Sequence, residues 1–337
     1  MDLVFSKNRP EQIIGDYLSF YESISSKTMF NDYNTPKMTK KKVIDFIDLY
    51  GHEKFLKSNS DKIFVYIYTI EELHLLHKNK NYQQCIKNIT FDIYTENLIK
   101  INEYSFENLK VLNLIYYNEI FDNNNLDSLV NLEELFMNCY NFPLNKSLFK
   151  LEKLKKLSLY SYNHEFKDSL SKLKNLEELL IFEYNQPFGN SLDNLHNLKI
   201  LESWSFNKPI NNSFDNLVNL RSLKLNTYNI SFNDSLSKLL NLEKLKVHSY
   251  KEVLGNSLNN LKKLHTLKIN IINDLNNVNS DIILNIINLS ITLPLCRKFI
   301  LYEFINLKEL TIKKYNSLDF IKININHFKF LEVLNII

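Results

Sequence analysis

The amino-acid sequence predicts an α/β solenoid, in which a curved parallel sheet lines the concave side and short helical or irregular segments return along the outside. Two regularities predict this fold. The pattern L-x-x-L-x-[LIMV] recurs at intervals close to 22 residues, and other residue types recur at fixed offsets from it. One such strand cannot bury its apolar side chains alone, so we expect stacked copies that share a continuous core.

The strand motif is the strongest of the repeated features. Its clear copies begin at Leu109, Leu132, Leu154, Leu176, Leu198, Leu220, Leu242 and Leu264, so that regular 22-residue units span about residues 109–270. Weaker copies begin at Ile86, Ile286, Leu307 and Leu331. We expect the first, fourth and sixth residues of each copy to point inward and to form continuous apolar columns.

Three further residue types keep step with the motif. Aromatic residues stand eight positions after each start, at Tyr117, Tyr140, Tyr162, Tyr184, Phe206, Tyr228 and Tyr250. Asparagine follows at Asn118, Asn141, Asn163, Asn185, Asn207 and Asn229, and serine precedes the next start at Ser147, Ser169, Ser191, Ser213, Ser235 and Ser257. We expect stacked Tyr and Phe rings to fill the core, with edge-to-face contacts adding to the area burial. We expect the asparagines to bond loop backbone and the serines to cap outer helical turns.

These residues resemble a known class of repeat. The L-x-x-L-x-L core at 22-residue spacing is similar to the leucine-rich repeat, whose unit is one short strand and a return segment. The segments YNFPL, YNQPF and FNKPI resemble its FNIP variant, which is known from social amoebae and giant DNA viruses. The resemblance covers about residues 86–337. It implies a leucine-rich-repeat solenoid and brings no catalytic mechanism.

The chain is predicted to divide into a small helical N-terminal head, residues 1–60, and the repeat solenoid, residues 61–337. Apolar residues at helical spacing predict helices near 13–24 and 43–50, and residues 63–68 are typical of a strand. Thr69 and Glu72 form a capping-box pattern that predicts the start of a helix.

Two interpretations of the head stay open. As a plain cap, it would cover the end of the repeat array. Alternatively, residues 9–21 faintly resemble the opening of an F-box, although Arg9 stands in place of the initial Leu and no later Trp-containing portion follows. That resemblance implies a substrate-recognition subunit of a cullin-type ubiquitin ligase, with ubiquitin-ligase components as partners.

The composition argues against an enzyme. Four scattered Gly cannot build a phosphate or dinucleotide loop, and three distant Cys form neither a disulfide framework nor a metal site. His74 and His77 alone supply too few ligands for zinc. No apolar run could cross a bilayer, and the N-terminus lacks a signal sequence. We therefore expect an intracellular, cytoplasmic protein with no cofactor, metal or membrane contact.

The remaining signal lies on the concave face, where the third, fifth and seventh residues of each motif point away from the core. There an apolar patch is predicted from Phe136, Tyr160, Leu180, Phe182, Ile200 and Trp204. A basic zone beside it is predicted from Lys224, Lys244, Lys246, His248 and Lys268. The patch is typical of a protein-binding site, unless the head or a loop folds over it. Nucleic acid is a less favoured partner, because the formal net charge is only +3.

Overall fold

A computed structural model describes residues 42–92, 101–117, 120–121, 126–140, 142–248, 252, 254–269, 280–293, 304–314 and 328–337. The helix predicted near 13–24 and the F-box-like residues 9–21 lie outside this part of the chain. So do three members of the repeated columns, Asn118, Asn141 and Tyr250.

The described residues form one sheet of 14 parallel strands, ordered in space as they are in sequence. The strands are β1 (Lys42–Asp45), β2 (Ile63–Ile67), β3 (Asn88–Asp92), β4 (Val111–Ile115), β5 (Glu134–Asn138), β6 (Lys156–Tyr160), β7 (Glu178–Ile181), β8 (Ile200–Ser203), β9 (Ser222–Leu225), β10 (Lys244–Val247), β11 (Thr266–Ile269), β12 (Asn288–Leu293), β13 (Glu309–Lys314) and β14 (Val333–Ile336). Equivalent motif positions pair directly, as in Leu223 with Leu245 and Leu245 with Leu267. This is the predicted leucine-rich-repeat solenoid.

Helices in the described residues are short and lie between strands. They are α1 (Phe46–Leu49), α2 (Glu53–Asn59), α3 (Ile70–Lys78), α4 (Lys80–Cys85) and α5 (Ser280–Asn285), with 3-10 turns at Ile101–Glu103 and Gly255–Leu258. The predicted capping box is present at α3. The hydroxyl of Thr69 accepts from the Glu72 backbone N–H at 3.1 Å, and the Glu72 carboxylate accepts from the Thr69 N–H at 3.1 Å.

The sheet begins earlier than the sequence predicts. Residues 43–50 were expected to form one helix of the head, but β1 occupies Lys42–Asp45 and only α1 is helical. Strand β1 pairs with β2 in parallel, with Lys42 opposite Ile63. Val43 and Ile44 are β-branched and suit a strand, and the edge of β2 offers their backbone hydrogen-bond partners on one side. The first repeat unit therefore lies inside the range predicted as the head.

The core is a set of continuous columns, as the motif predicts. The fourth motif residues Leu157, Leu179, Leu201, Leu223 and Leu245 are all fully buried. Ser203 is an exception in the sixth column, where its neighbours across the sheet are Ile181 and Leu225. Burial of these leucines is the main stabilising contribution, at about 1.5–3 kcal/mol for each fully buried side chain.

The aromatic column fills the core, but its rings do not meet edge to face. Tyr162 and Tyr184 lie 6.4 Å apart with an interplanar angle of 3°, and Tyr184 and Phe206 lie 6.3 Å apart at 9°. Equivalent residues of successive repeats share one orientation, which keeps their rings nearly parallel. Rings at non-equivalent positions meet at larger angles, as Phe188 and Phe206 do at 37°.

Asparagine side chains join successive repeats, as predicted for the loop after the strand. The side-chain oxygens of Asn163, Asn185 and Asn207 accept from the backbone N–H groups of Asn185, Asn207 and Asn229, at 2.9–3.0 Å. A second ladder was not predicted. Asn175, Asn197, Asn219 and Asn241, which directly precede the motif, donate to backbone carbonyls of the previous repeat. Its sequence signal is the Asn-Leu pair at most motif starts, although Lys stands in place of Asn before Leu154 and Leu264.

The serine column does not cap helices. The hydroxyls of Ser147 and Ser191 donate to the carbonyls of Leu144 and Phe188, three residues earlier, instead of accepting from backbone N–H groups. These return segments are turns, not helices, so they leave no free helical N–H groups for a cap. The buried hydroxyls of Ser147 and Ser191 therefore stabilise their own turns from within.

Backbone geometry after each strand also repeats. The residue directly before the core aromatic has a positive φ of 57–64° at Tyr116, Cys139, Ser161, Glu183, Ser205 and Thr227. A non-glycine residue in this region costs about 1–2 kcal/mol. The left-handed step turns the chain sharply, so that the following Tyr or Phe points into the core.

Candidate partner-binding face

The concave face carries a row of four aromatic side chains in direct contact. We call Phe136, Tyr160, Phe182 and Trp204 the aromatic row. Ring centroids are 5.1 Å apart between Phe136 and Tyr160, 4.0 Å between Tyr160 and Phe182, and 5.5 Å between Phe182 and Trp204. The structure thus brings together four of the six residues predicted for the apolar patch, across strands β5 to β8.

The patch is less exposed than the sequence predicts. Leu180 and Phe182 are buried, with 9% and 4% of their surface accessible, whereas Phe136, Ile200 and Trp204 are half-buried. The rings of Tyr160 and Phe182 are nearly parallel, at 12°, and cover one another's faces. The stacked faces of these two rings are therefore covered, and the accessible surface of the row comes mainly from its half-buried members. Ile200 lies on the same face beside Glu178 and Ser222, away from the ring contacts.

Tyr160 contributes a neutral phenol to this row. Burial raises the pKa of Tyr160, and the nearby Glu202 charge raises it further. The hydroxyl therefore stays protonated across the physiological range and presents a polar tip at the edge of an apolar surface.

A charged cluster of Glu202 and Lys224 contacts Trp204 at the β8 end of the aromatic row. The indole Nε1 of Trp204 donates to Glu202 Oε1 at 2.6 Å, and Lys224 Nζ lies 2.7 Å from the same oxygen. Lys224 Nζ also lies 4.6 Å from the centre of the Trp204 ring, in cation–π range. The Lys224 and Glu202 side chains are only 14% and 17% exposed. This cluster was missed at the sequence level, although Glu202 and Lys224 are directly paired in register.

The predicted basic zone is a row of lysines on consecutive strands. Lys224, Lys246 and Lys268 are direct partners across β9, β10 and β11, where strands lie about 4.8 Å apart. We call these three the lysine row. Lys244 and His248 flank Lys246 on the same face of β10, Lys244 exposed and His248 half-buried. The structure thus places all five residues of the zone together.

The lysines on this face differ in whether a carboxylate pairs with them. Lys156 pairs with Glu178 at 3.0 Å and Lys224 pairs with Glu202. In the described part of the chain, no carboxylate lies within 4.0 Å of Lys244, Lys246 or Lys268. Burial lowers the pKa of Lys246, and the neighbouring charges of Lys268 and Lys224 lower it further. Lys246 and Lys268 of the lysine row, and Lys244 beside them, therefore carry like charges that no described carboxylate neutralises by direct pairing.

The residues with defined positions include neither a candidate metal site nor a candidate membrane-spanning helix. These residues contain no group of three or more His, Cys, Asp and Glu side chains that could hold a metal ion. None of their helices is both long and apolar enough to cross a membrane. The aromatic row and the lysine row are therefore the candidate site.

Comparison with solved structures gives similar solenoids. An internalin from Listeria monocytogenes aligns over 98% of this chain and 98% of its own, with a TM-score of 0.64 and 16% identity. A leucine-rich repeat protein from Leptospira interrogans aligns over 92% and 87%, with a TM-score of 0.58 and 18% identity. TLR13 in complex with ssRNA13 aligns over 84% and 45%, with a TM-score of 0.52 and 17% identity. No family model matches the chain, and no curated protein matches it.

Proposed function

We propose that this leucine-rich-repeat solenoid is a non-enzymatic protein-interaction module that holds a partner protein on its concave face. One observation carries the proposal: a contiguous aromatic row leads directly into the lysine row across β5 to β11, and among the described residues only Lys224 of that row pairs with a carboxylate. Half-buried aromatic side chains beside charged groups are typical of the few residues that dominate protein interfaces. The fold supports this role, because stacked repeats create extended concave binding surfaces.

RNA is the competing ligand, since one structural neighbour is a complex with ssRNA13. Proteins that bind single strands stack bases on open aromatic faces. Here Phe182 covers one side of the Trp204 ring, and the Lys224 ammonium lies over the ring as well. With little ring face available, the aromatic row is better suited to apolar protein side chains than to bases.

Three sequence predictions remain part of this proposal. We assign the repeats to the FNIP type and the protein to the cytoplasm on the sequence pattern alone. The F-box-like reading of residues 9–21 would add cullin-complex subunits as partners. Copurification of cullin-complex subunits with the full chain, and their loss when residues 1–41 are deleted, would support that reading.

The test of the proposed function is capture of a partner that depends on Trp204. The full wild-type chain, Trp204→Ala and Leu240→Ala serve as baits for affinity purification with mass spectrometry. Leu240, which is 57% exposed in the turn before β10, is the matched control. A captured protein is then purified, and its Kd for each variant is measured.

We expect Trp204→Ala to weaken binding by about 30-fold or more, equivalent to about 2 kcal/mol, and Leu240→Ala to leave it unchanged. Equal affinity of wild type and Trp204→Ala would contradict the proposal. Tighter binding of a single-stranded RNA than of any protein, with a steep dependence on salt, would favour the RNA alternative.

A further inference from the structure

We propose, building on the function above, that the partner presents an extended acidic segment that crosses β7 to β11. An apolar side chain of the segment lies against the aromatic row, and carboxylates that follow it pair with the lysine row. The proposal identifies the class of ligand and its direction on the sheet. It follows from the charge balance, the spacing and the chemistry of the two rows.

Charge balance is the first argument. Lys224, Lys244, Lys246 and Lys268 bring four positive charges to neighbouring positions, and among the described residues Glu202 is the one carboxylate within 4.0 Å of any of them. Like charges directly opposite one another on adjacent strands are destabilising. Lys246 is half-buried between Lys224 and Lys268, so water screens this repulsion incompletely. A ligand with carboxylates would relieve it.

Spacing determines the form of the ligand. The Trp204 ring follows β8 and Lys246 lies on β10, two strands further, which is about 10 Å at 4.8 Å per strand. An extended peptide rises about 3.3 Å per residue. An apolar anchor at the aromatic row and the first acidic side chain at Lys246 should therefore be separated by about three residues. A second acidic residue one or two positions later reaches Lys268.

Side-chain chemistry favours carboxylates over phosphates. The zone contains four lysines and His248 but no arginine, whereas bidentate recognition of phosphate groups typically uses arginine forks. Each strand offers one ammonium of the row, which matches single carboxylates spaced along a chain. The half-buried side chains of Phe136, Tyr160 and Trp204, held together through Phe182, provide an apolar wall for an aliphatic or aromatic anchor.

A synthetic peptide tests the inference on the full chain. The probe is a fluorescein-labelled peptide in which one Leu is followed by two Ser and then four Glu. Two matched peptides replace the four Glu by Gln, or the Leu by Ser. Binding is measured by fluorescence anisotropy, and quenching of Trp204, the only Trp of the chain, reports whether the concave face is occupied.

Substitutions in the chain provide the second arm. Lys246→Glu with Lys268→Glu reverses two charges of the lysine row, and Lys172→Glu with Lys238→Glu makes the same change in net charge at exposed turn positions. We expect the Glu peptide to bind about tenfold more tightly than the Gln peptide and to lose this advantage only with the lysine-row variant. Circular dichroism verifies that both double variants are folded.

Several outcomes would overturn the inference. Equal binding of the Glu and Gln peptides, no binding of either, or equal losses in the two double variants would each do so. Tighter binding of the same peptide carrying phosphoserine in place of Glu would assign the lysine row to phosphopeptides instead. Failure of this inference remains distinct from failure of the proposed function: a partner captured through Trp204 that binds the lysine-row variant with unchanged affinity would refute only the acidic segment.

Discussion

The indole Nε1 of Trp204 donates a 2.6 Å hydrogen bond to the carboxylate of Glu202, two residues earlier in the chain. The same carboxylate oxygen lies 2.7 Å from Lys224 Nζ. Glu202 therefore holds the last ring of the aromatic row in place and neutralises the first cation of the lysine row. Through this one side chain, the apolar and basic parts of the concave face form a single surface.

Glu202→Gln should strengthen binding of the acidic peptide. Glutamine keeps an oxygen that can accept from the Trp204 indole, but it removes the negative charge that competes with the ligand for Lys224. We expect about threefold tighter binding, in line with the energy of a partly exposed ion pair. Anisotropy titrations at two salt concentrations measure this change, which should be larger at low salt. Unchanged or weaker binding would show that Lys224 does not contact the ligand.

Leu223→Ala should destabilise the solenoid without acting through the binding face. Leu223 is fully buried in the fourth-residue column, and its truncation should cost about 2–5 kcal/mol of unfolding free energy. Leu240→Ala, at a 57% exposed position, is the control and should cost less than about 0.5 kcal/mol. Urea denaturation followed by circular dichroism measures both. Similar losses in the two variants would contradict the assignment of the inward column.

Much of this structure follows from the repeat period. A constant interval places equivalent motif positions side by side, so the inward leucine columns and the register of Lys224, Lys246 and Lys268 could be predicted from the sequence. The asparagine ladder after the strand was predicted on the same basis and is confirmed by the bond from Asn207 N–H to Asn185. All these features arise because each repeat stacks on the previous one in the same way.

Features that depend on side-chain rotamers, or on segments without the repeated leucine motif, were not predicted. The burial of Phe182 results from ring stacking against Tyr160, which motif position alone does not specify. The Glu202–Trp204–Lys224 cluster depends on where three flexible side chains meet. Strand β1 was missed because residues 42–45 carry no copy of the leucine motif.

Asn185→Ala tests the ladder that joins neighbouring repeats. The Asn185 side-chain oxygen accepts from the Asn207 backbone N–H at 3.0 Å, so its removal leaves that N–H without its protein partner. We expect a loss of about 1 kcal/mol in the free energy of unfolding. Asn194→Ala, at an exposed position in the following turn, is the matched control. Equal stability of the two variants in urea denaturation would show that water replaces the ladder at no cost.

Lys246→Met should raise the stability of the fold and weaken binding of the acidic peptide. The pKa of Lys246 lies below its usual value of 10.5, because burial and the charges of Lys268, Lys224 and Lys244 oppose its protonation, while Glu202 partly offsets them. The folded state therefore disfavours the ammonium form relative to the unfolded chain. At neutral pH, where both states are protonated, this lysine reduces stability, and methionine of similar length should raise the unfolding free energy.

The sign of the pH dependence makes this prediction specific. Well above pH 10.5 the amine is neutral in both states and the destabilisation disappears, whereas it develops as the pH falls from 10.5 toward the lower pKa of the folded state and is complete below that pKa. The stability gain of Lys246→Met should therefore be largest at neutral pH and shrink as the pH approaches 10.5. Lys238→Met, at an exposed position, should show neither the gain nor the pH dependence.

Binding should change in the opposite direction. If Lys246 pairs with a carboxylate of the ligand, the Lys246→Met variant should be more stable at pH 7 than the wild type. It should also bind the acidic peptide about tenfold more weakly. Thermal denaturation and anisotropy titration of the same preparation measure the two quantities. A variant that gains stability and keeps its full affinity would show that the lysine row repels itself without serving a ligand.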